Sequence, residues 1–335
     1  MVASRRVNVR SLGGLALLLA LAGWLALNGA ALRGAWLRNL GFLNLNEARG
    51  PAPADAASAE AAAAIHQLTE ATRLDPRPAS PWRALGYAHL AQAQDEAAIR
   101  AWQQAPGMAA ELIANGQQAE AANQPETALA WYRRATAVSP SDPEGWLHLG
   151  LLHEGRGDWP AVTAVYEAGL EAQAAAGAAN SDLLFRLARA HANLSWPIDY
   201  TAVLDASDRA LQLDQFQHDW NRVQNRYFRG VALQGLGRDS EALAEFAWVA
   251  ERLPDDYWTL VRLGQLTWQV QGDARAAETH LLAALRARGD NKAAYLALGE
   301  VYWQTGRQDE AVELYRAVLR LDPGDATAAA RTQEP

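Results

Sequence analysis

Between residues 59 and 324 the apolar positions recur at helical spacing in paired segments, each pair broken by a short polar turn. Two stretches show the unit best: PEGWLHLGLLHEGRGDWPAVTAVYEAGL from Pro143 and KAAYLALGEVYWQTGRQDEAVELYRAVLRLDP from Lys292. In both, an aromatic stands three residues before Leu-Gly, and a second Gly follows seven residues after the first. A small or β-branched residue comes five later, and an aromatic four later still. The landmarks are Trp146, Leu149-Gly150, Gly157, Val162 and Tyr166 in one, and Tyr295, Leu298-Gly299, Gly306, Ala311 and Tyr315 in the other. The pattern predicts helix hairpins and no sheet.

Further copies carry Trp82, Leu85-Gly86, Ala98, Trp102 and Ala105; Gly116, Ala128, Tyr132, Ala135 and Pro140; Gly230, Gly237, Ala242, Phe246 and Pro254; and Leu263-Gly264, Gly272, Ala277, Leu281 and Ala284. A degraded copy runs through Leu187-Ala188, His191, Val203 and Ala210, and an isolated second helix through Ala64, Leu68, Ala71 and Pro76. The recurring pattern resembles the tetratricopeptide repeat family, whose unit is a 34-residue helix-turn-helix. The resemblance implies an all-α, right-handed α-solenoid of about seven to eight units over 59–324. Small residues would let the two helices of a unit approach, large ones would fill the space between units, and stability would accumulate by stacking. Extra residues around Ser195–Tyr200 and Phe216–Trp220 predict a weak joint within 182–222, and Pro106-Gly107 predicts a shortened helix ending near Ala105.

The N-terminal end reads differently. Residues 1–10 form a basic flank, and no residue from Ser11 to Leu32 is charged. As a helix this run would be about 33 Å long, enough to span a bilayer core of roughly 30 Å. It predicts one transmembrane helix, N-terminus cytoplasmic, with the array on the extracytoplasmic side. Gly29, Ala30 and Ala31 would also suit a signal-peptidase site, which would make the mature chain a secreted binding protein. Residues 33–58, with Trp36, Phe42, Arg33 and Arg38, read as an interfacial segment followed by a Pro/Ala linker from about residue 50, and 325–335 as a tail.

Charge and composition narrow the function. Six arginines against Glu47 give residues 1–50 a charge of +5, so the remainder carries −13 of the net −8. A body this acidic, with Lys292 as the one lysine, argues against a nucleic-acid partner. There is no cysteine, so disulfides, thiolate metal sites and cysteine nucleophiles are excluded. His148 and His153 are five residues apart and fall on different helix faces, unlike a helical zinc pair. Arg156-Gly157-Asp158 coincides with an inter-helix turn, and Asp255-Asp256 and Asp309-Glu310 read as helix-start acids. No catalytic residue, cofactor site or metal site is expected.

The resemblance instead implies a concave groove lined by the first helix of each unit, taking a peptide or a partner helix. By repeat position, the groove residues are Arg83, Tyr87, Tyr227, Arg262, Gln265, Trp268, Glu300 and Trp303. Trp268 and Trp303 occupy no framework position, and read either as interface anchors or as packing between helices. The family's carboxylate clamp needs Lys or Asn where this chain has Ile113, Leu147, Val261 and Leu296, so that activity is not implied. The expectation is a non-catalytic, membrane-anchored scaffold organising a cell-envelope complex, or an accessory subunit of a membrane enzyme.

Overall fold

The computed structural model describes the backbone of residues 9–49, 54–194 and 196–333, and side chains within these from Asn28 onward, except Ala54 and Asp55. Among the described residues there are seventeen α-helices and no strand. They fall into two compact units divided after Pro140. The first holds α1 (Val9–Ala48), α2 (Ala54–Leu74), α3 (Ala79–Ala91), α4 (Asp95–Trp102), α5 (Met108–Ala121) and α6 (Pro125–Val138). The second holds α7 (Pro143–Gly155), α8 (Trp159–Ala175), α9 (Ser181–Leu194), α10 (Tyr200–Leu213), α11 (Asp219–Gly235), α12 (Asp239–Arg252), α13 (Tyr257–Leu266), α14 (Ala274–Ala287), α15 (Lys292–Gln304), α16 (Gln308–Leu321) and α17 (Ala326–Gln333). Each odd-numbered helix from α1 to α15 packs on the even-numbered helix that follows it.

One contact is repeated through these hairpins. The landmark glycine of the first helix faces the landmark aromatic of the second so closely that a Cβ would lie 2.2 Å from Trp102 at Gly86, 2.3 Å from Tyr132 at Gly116, 2.2 Å from Tyr166 at Gly150 and 2.9 Å from Tyr315 at Gly299. All four rings are essentially fully buried. The glycine is therefore the socket of its own hairpin's ring, and not merely a spacer between helix axes. At Gly86 the indole Nε1–H of Trp102 donates to the carbonyl of Arg83 at 3.1 Å, which ties the ring to the backbone beside its socket.

The same contact overturns the reading of the N-terminal end. A Cβ on Gly41 would lie 2.6 Å from Leu68, and Leu37 and Leu45 are buried. The second half of α1 is thus the first helix of a hairpin with α2, and the helix through Leu68 is not isolated. α2 begins at Ala54, inside the stretch read as a linker. The single-pass membrane localisation is corrected: among the described residues no helix is long and apolar enough to cross a membrane. The apolar residues after Leu32 that suggested a bilayer interface are apolar because part of them forms the hydrophobic core of the first repeat. Residues 1–8, and the side chains of the uncharged run as far as Leu27, lie outside the described residues.

α4 is eight residues long, as Pro106-Gly107 predicts. The expected weak joint is instead bridged by hydrogen bonds. Asp182, 1% exposed in the first turn of α9, accepts from the backbone N–H of Gln217 at 3.0 Å and from Asn221 Nδ2 at 2.9 Å. Ser181 Oγ accepts from the N–H of Gln215 at 2.8 Å. The extra residues before α11 are pinned to the start of α9. Asp182→Ala leaves two donors without their acceptor and is expected to lower unfolding free energy by about 2 kcal/mol in urea titration; a change under about 0.5 kcal/mol would show that the loop is held by other contacts.

Candidate binding groove

The eight groove residues do not form one site. Arg83 and Tyr87 lie in the first unit and the other six in the second. On α3, Tyr87 Oη donates to Glu111 Oε1 at 2.6 Å and accepts from Asn115 Nδ2 at 3.1 Å, while Arg83 Nε pairs with Glu111 Oε2 at 3.1 Å. The Arg49 guanidinium stacks 4.4 Å from the centre of the Tyr87 ring. Arg49, Tyr87, Leu90, Glu111, Asn115 and Trp131 contribute to the walls of a cavity of about 620 Å³. Glu111 already holds two partners, so the groups left to meet a ligand are Arg49 and the free lone pairs of the amides. Arg49, Glu111 and Asn115 were missed in the sequence because none occupies a repeat landmark.

In the second unit, Tyr227 and Arg262 are spent on packing. The Tyr227 ring meets Phe228 and Phe246 edge-on at 5.6 and 5.8 Å. Arg262 donates to Gln234 Oε1 at 2.6 Å and lies 5.8 Å from the Phe246 ring. Trp303 is half-buried, with Tyr315 at 6.4 Å and the Arg331 guanidinium of α17 at 4.5 Å. Glu300 accepts from Gln304, from Tyr315 Oη at 3.3 Å, and lies 3.6 Å from Arg331. α17, in the stretch read as a tail, therefore covers one end of the α15 face.

Gln265, Trp268 and Glu300 do come together. With Gln269, Leu296, Ala297, Val301, Tyr315 and Thr327 they line a cavity of about 260 Å³. Trp268 stands in a five-residue π turn, Thr267–Gln271, that continues α13. Its cause is visible in the repeat spacing: Gly264 and Gly272 are eight residues apart, where Gly150 and Gly157, Gly230 and Gly237, and Gly299 and Gly306 are seven. One inserted residue is absorbed as a widened turn, a feature common at functional sites. Thr267 Oγ1 helps close it by donating to the carbonyl of Leu263 at 2.7 Å. The insertion alters the register of Trp268, whose Nε1–H donates to Gln304 Oε1 at 3.0 Å while the ring stays half-buried. The extra residue was legible in the sequence, but its conversion into a cavity wall was not.

A second recurring feature is electrostatic. The phenols of Tyr132, Tyr166, Tyr302 and Tyr315 donate to Glu120, Glu154, Glu278 and Glu300, as Tyr87 does to Glu111. Burial first, and then the neighbouring carboxylate, pushes Tyr87, Tyr302 and Tyr315 up to about 12 and raises Tyr132 and Tyr166 in the same direction. An unfolded phenol ionises near pH 10, below these folded values. The stabilisation is therefore complete below about pH 10 and is lost as pH climbs toward 12. Absorbance titration should show these phenols ionising in one cooperative phase above about pH 11, together with loss of helical ellipticity. Independent ionisation of every tyrosine near pH 10 with the helices intact would contradict the assignment.

Residues 113–180 and 269–326 match the tetratricopeptide repeat family. Among curated proteins none matches the chain. Among solved structures, PilF of Pseudomonas aeruginosa superposes with a TM-score of 0.52 at 14% identity, covering 67% of this chain and 95% of that one. YrrB, a tetratricopeptide protein with an unusual peptide-binding site, gives a TM-score of 0.44 at 20% identity, covering 68% of this chain and 95% of its own. The repeated glycine sockets and the two matched segments agree: the described residues form an all-α helical repeat similar to the tetratricopeptide repeat family.

Proposed function

We propose that the chain is a non-catalytic interaction scaffold that captures a segment of a partner protein along the first helices of its hairpins, with Trp268 as an anchor. The observation that carries this reading is the inserted residue in α13. A π turn sacrifices regular helix geometry, and here it lines an open cavity with an aromatic side chain that no framework position requires. The cavity is too small for a whole helix and suits one apolar side chain of a bound segment, flanked by the amides of Gln265 and Gln269. The Arg49–Tyr87–Glu111 cavity of the first unit is a second place for the same kind of contact. The narrower assignment to a cell-envelope complex rested on an export segment, and no feature of the groove adds to it.

The two non-framework tryptophans should separate. Trp268→Ala is expected to weaken capture of a partner cross-linked from the native cells by about tenfold or more, with little change in thermal stability. Trp303→Ala, which strips the ring held between Tyr315 and Arg331, is expected to cost about 2 kcal/mol of stability instead. If Trp268→Ala destabilises the chain as much and leaves capture intact, its ring is packing and the anchor assignment fails.

A further inference from the structure

Helix α1 has two apolar faces, and the first unit uses one of them. Gly34, Leu37, Gly41 and Leu45 are buried, with both glycines set against α2. On the opposite side Leu32, Trp36 and Leu43 are 45%, 62% and 54% exposed. Single exposed apolar side chains are ordinary, but these are ordered. With Asn39 and Asn46 they follow one another at steps of four, three, four and three residues. At 100° per residue all five fall within about 80° of arc, which is the narrow seam of a coiled coil and not a broad amphipathic face.

The charges beside the seam select the partner. Arg33, Leu40 and Glu47 each directly follow a seam residue, Leu32, Asn39 and Asn46. Arg33 and Glu47 are exposed, and among the described residues neither has an ion-pair partner; Arg33 reaches Glu70 only as a minor through-space influence. In an antiparallel pair of identical helices, this flank of one copy meets the same flank of the other. Arg33 of each copy then meets Glu47 of its partner, twice, with Leu40 near Leu40 at the centre. A parallel pair would set the flank against the one carrying Ala35 and Phe42 and would form no ion pair. Aromatic and leucine side chains fill the seam, and the two asparagines disfavour an uninterrupted apolar association that would lack register.

We propose that α1 pairs antiparallel with α1 of a second copy of this chain through Leu32, Trp36, Asn39, Leu43 and Asn46, making the protein a homodimer. The seam lies opposite the face buried against α2, so pairing leaves the first hairpin intact. Sedimentation velocity of the full chain over a wide concentration range tests this. Arg33→Glu and Glu47→Arg should each weaken dimerisation about tenfold, and the two together should restore it, because the pairs re-form with reversed polarity. Trp36→Ala should weaken it about a hundredfold with helical ellipticity unchanged. The chain has no cysteine, so Leu40→Cys is a clean reporter and should yield an oxidised dimer. A chain that is monomeric at every concentration would overturn the proposal, as would a dimer indifferent to both single reversals. A monomer that instead sediments with phosphatidylcholine vesicles would assign the stripe to a lipid surface and equally refute it.

Discussion

Alanine in place of Tyr166 lowers the unfolding free energy of the second unit by about 4 kcal/mol, near the upper end for removing a buried ring. The residue has no exposed surface, and the hydroxyl end of its ring stands against Gly150 with no room for a methyl group between them. The loss is compounded at the ring's edge, where the phenol donates to Glu154 at 2.9 Å. The reciprocal change is equally informative. Gly150→Ala places a Cβ 2.2 Å from a ring atom and costs about 3 kcal/mol in the native background by overpacking. In the Tyr166→Ala background the clash is gone and only the helix preference of alanine over glycine remains, so the same substitution stabilises by about 1 kcal/mol. The two effects are strongly non-additive because they act on one contact. Denaturant midpoints of the four chains at constant slope measure the coupling, and additive values would mean that glycine and ring are not a socket and plug. Gly86 with Trp102 and Gly116 with Tyr132 repeat the geometry in the first unit, and the same coupling is expected there.

Removing the carboxylate of Glu154 is expected to cost about 3 kcal/mol, for a different reason. Its side chain is 5% exposed and accepts from Tyr166 Oη at 2.9 Å, with Arg186 Nη1 and Arg189 Nη2 at 3.4 and 3.2 Å. Glu154→Ala strands a phenol and leaves two cations side by side, and Arg186 is itself only 18% exposed. Breaking a buried pair costs more than the pair contributes, because the partner's charge loses its compensation. Arg189, more than a third exposed, recovers part of its hydration and keeps the estimate at the low end of the range. Glu154→Leu combined with Arg186→Met and Arg189→Met should therefore recover most of the loss, since packed apolar groups substitute well for a buried cluster. Thermal melts of the single and triple variants decide the matter. A triple variant no more stable than Glu154→Ala would show that the cluster contributes more than its own compensation.

The hairpins were legible in the sequence because their contacts are local and periodic. A glycine and an aromatic in one unit recur at the same offset in the next, so both positions could be named, although the aromatics were expected between units and lie instead on the glycine of their own hairpin. The candidate groove was only partly legible. Repeat position puts Gln265, Trp268 and Glu300 on the first-helix side of their hairpins, and the structure brings these three to one cavity. For Tyr227 and Trp303, position along a helix does not say what occupies the space opposite. Phe228 and Phe246 fill it for one, and Tyr315 with Arg331 for the other. Residues 33–49 were misread for a related reason. An apolar helix face has the same composition whether it meets lipid or Leu68, and only the missing Cβ of Gly41 distinguishes the two.

By itself the sequence determined the secondary-structure class, the repeat unit, the shortened α4 and the absence of cysteine chemistry, all of which follow from residue type and from spacing within about forty positions. Tertiary structure alone decided that α1 supplies the first repeat's missing helix, that α17 covers one end of the α15 face, and that an inserted residue becomes a π turn lining a cavity. Each of these depends on which surface a side chain meets. Hydrophobic burial is non-directional, so the pattern along a chain states that a face must be covered and leaves open what covers it.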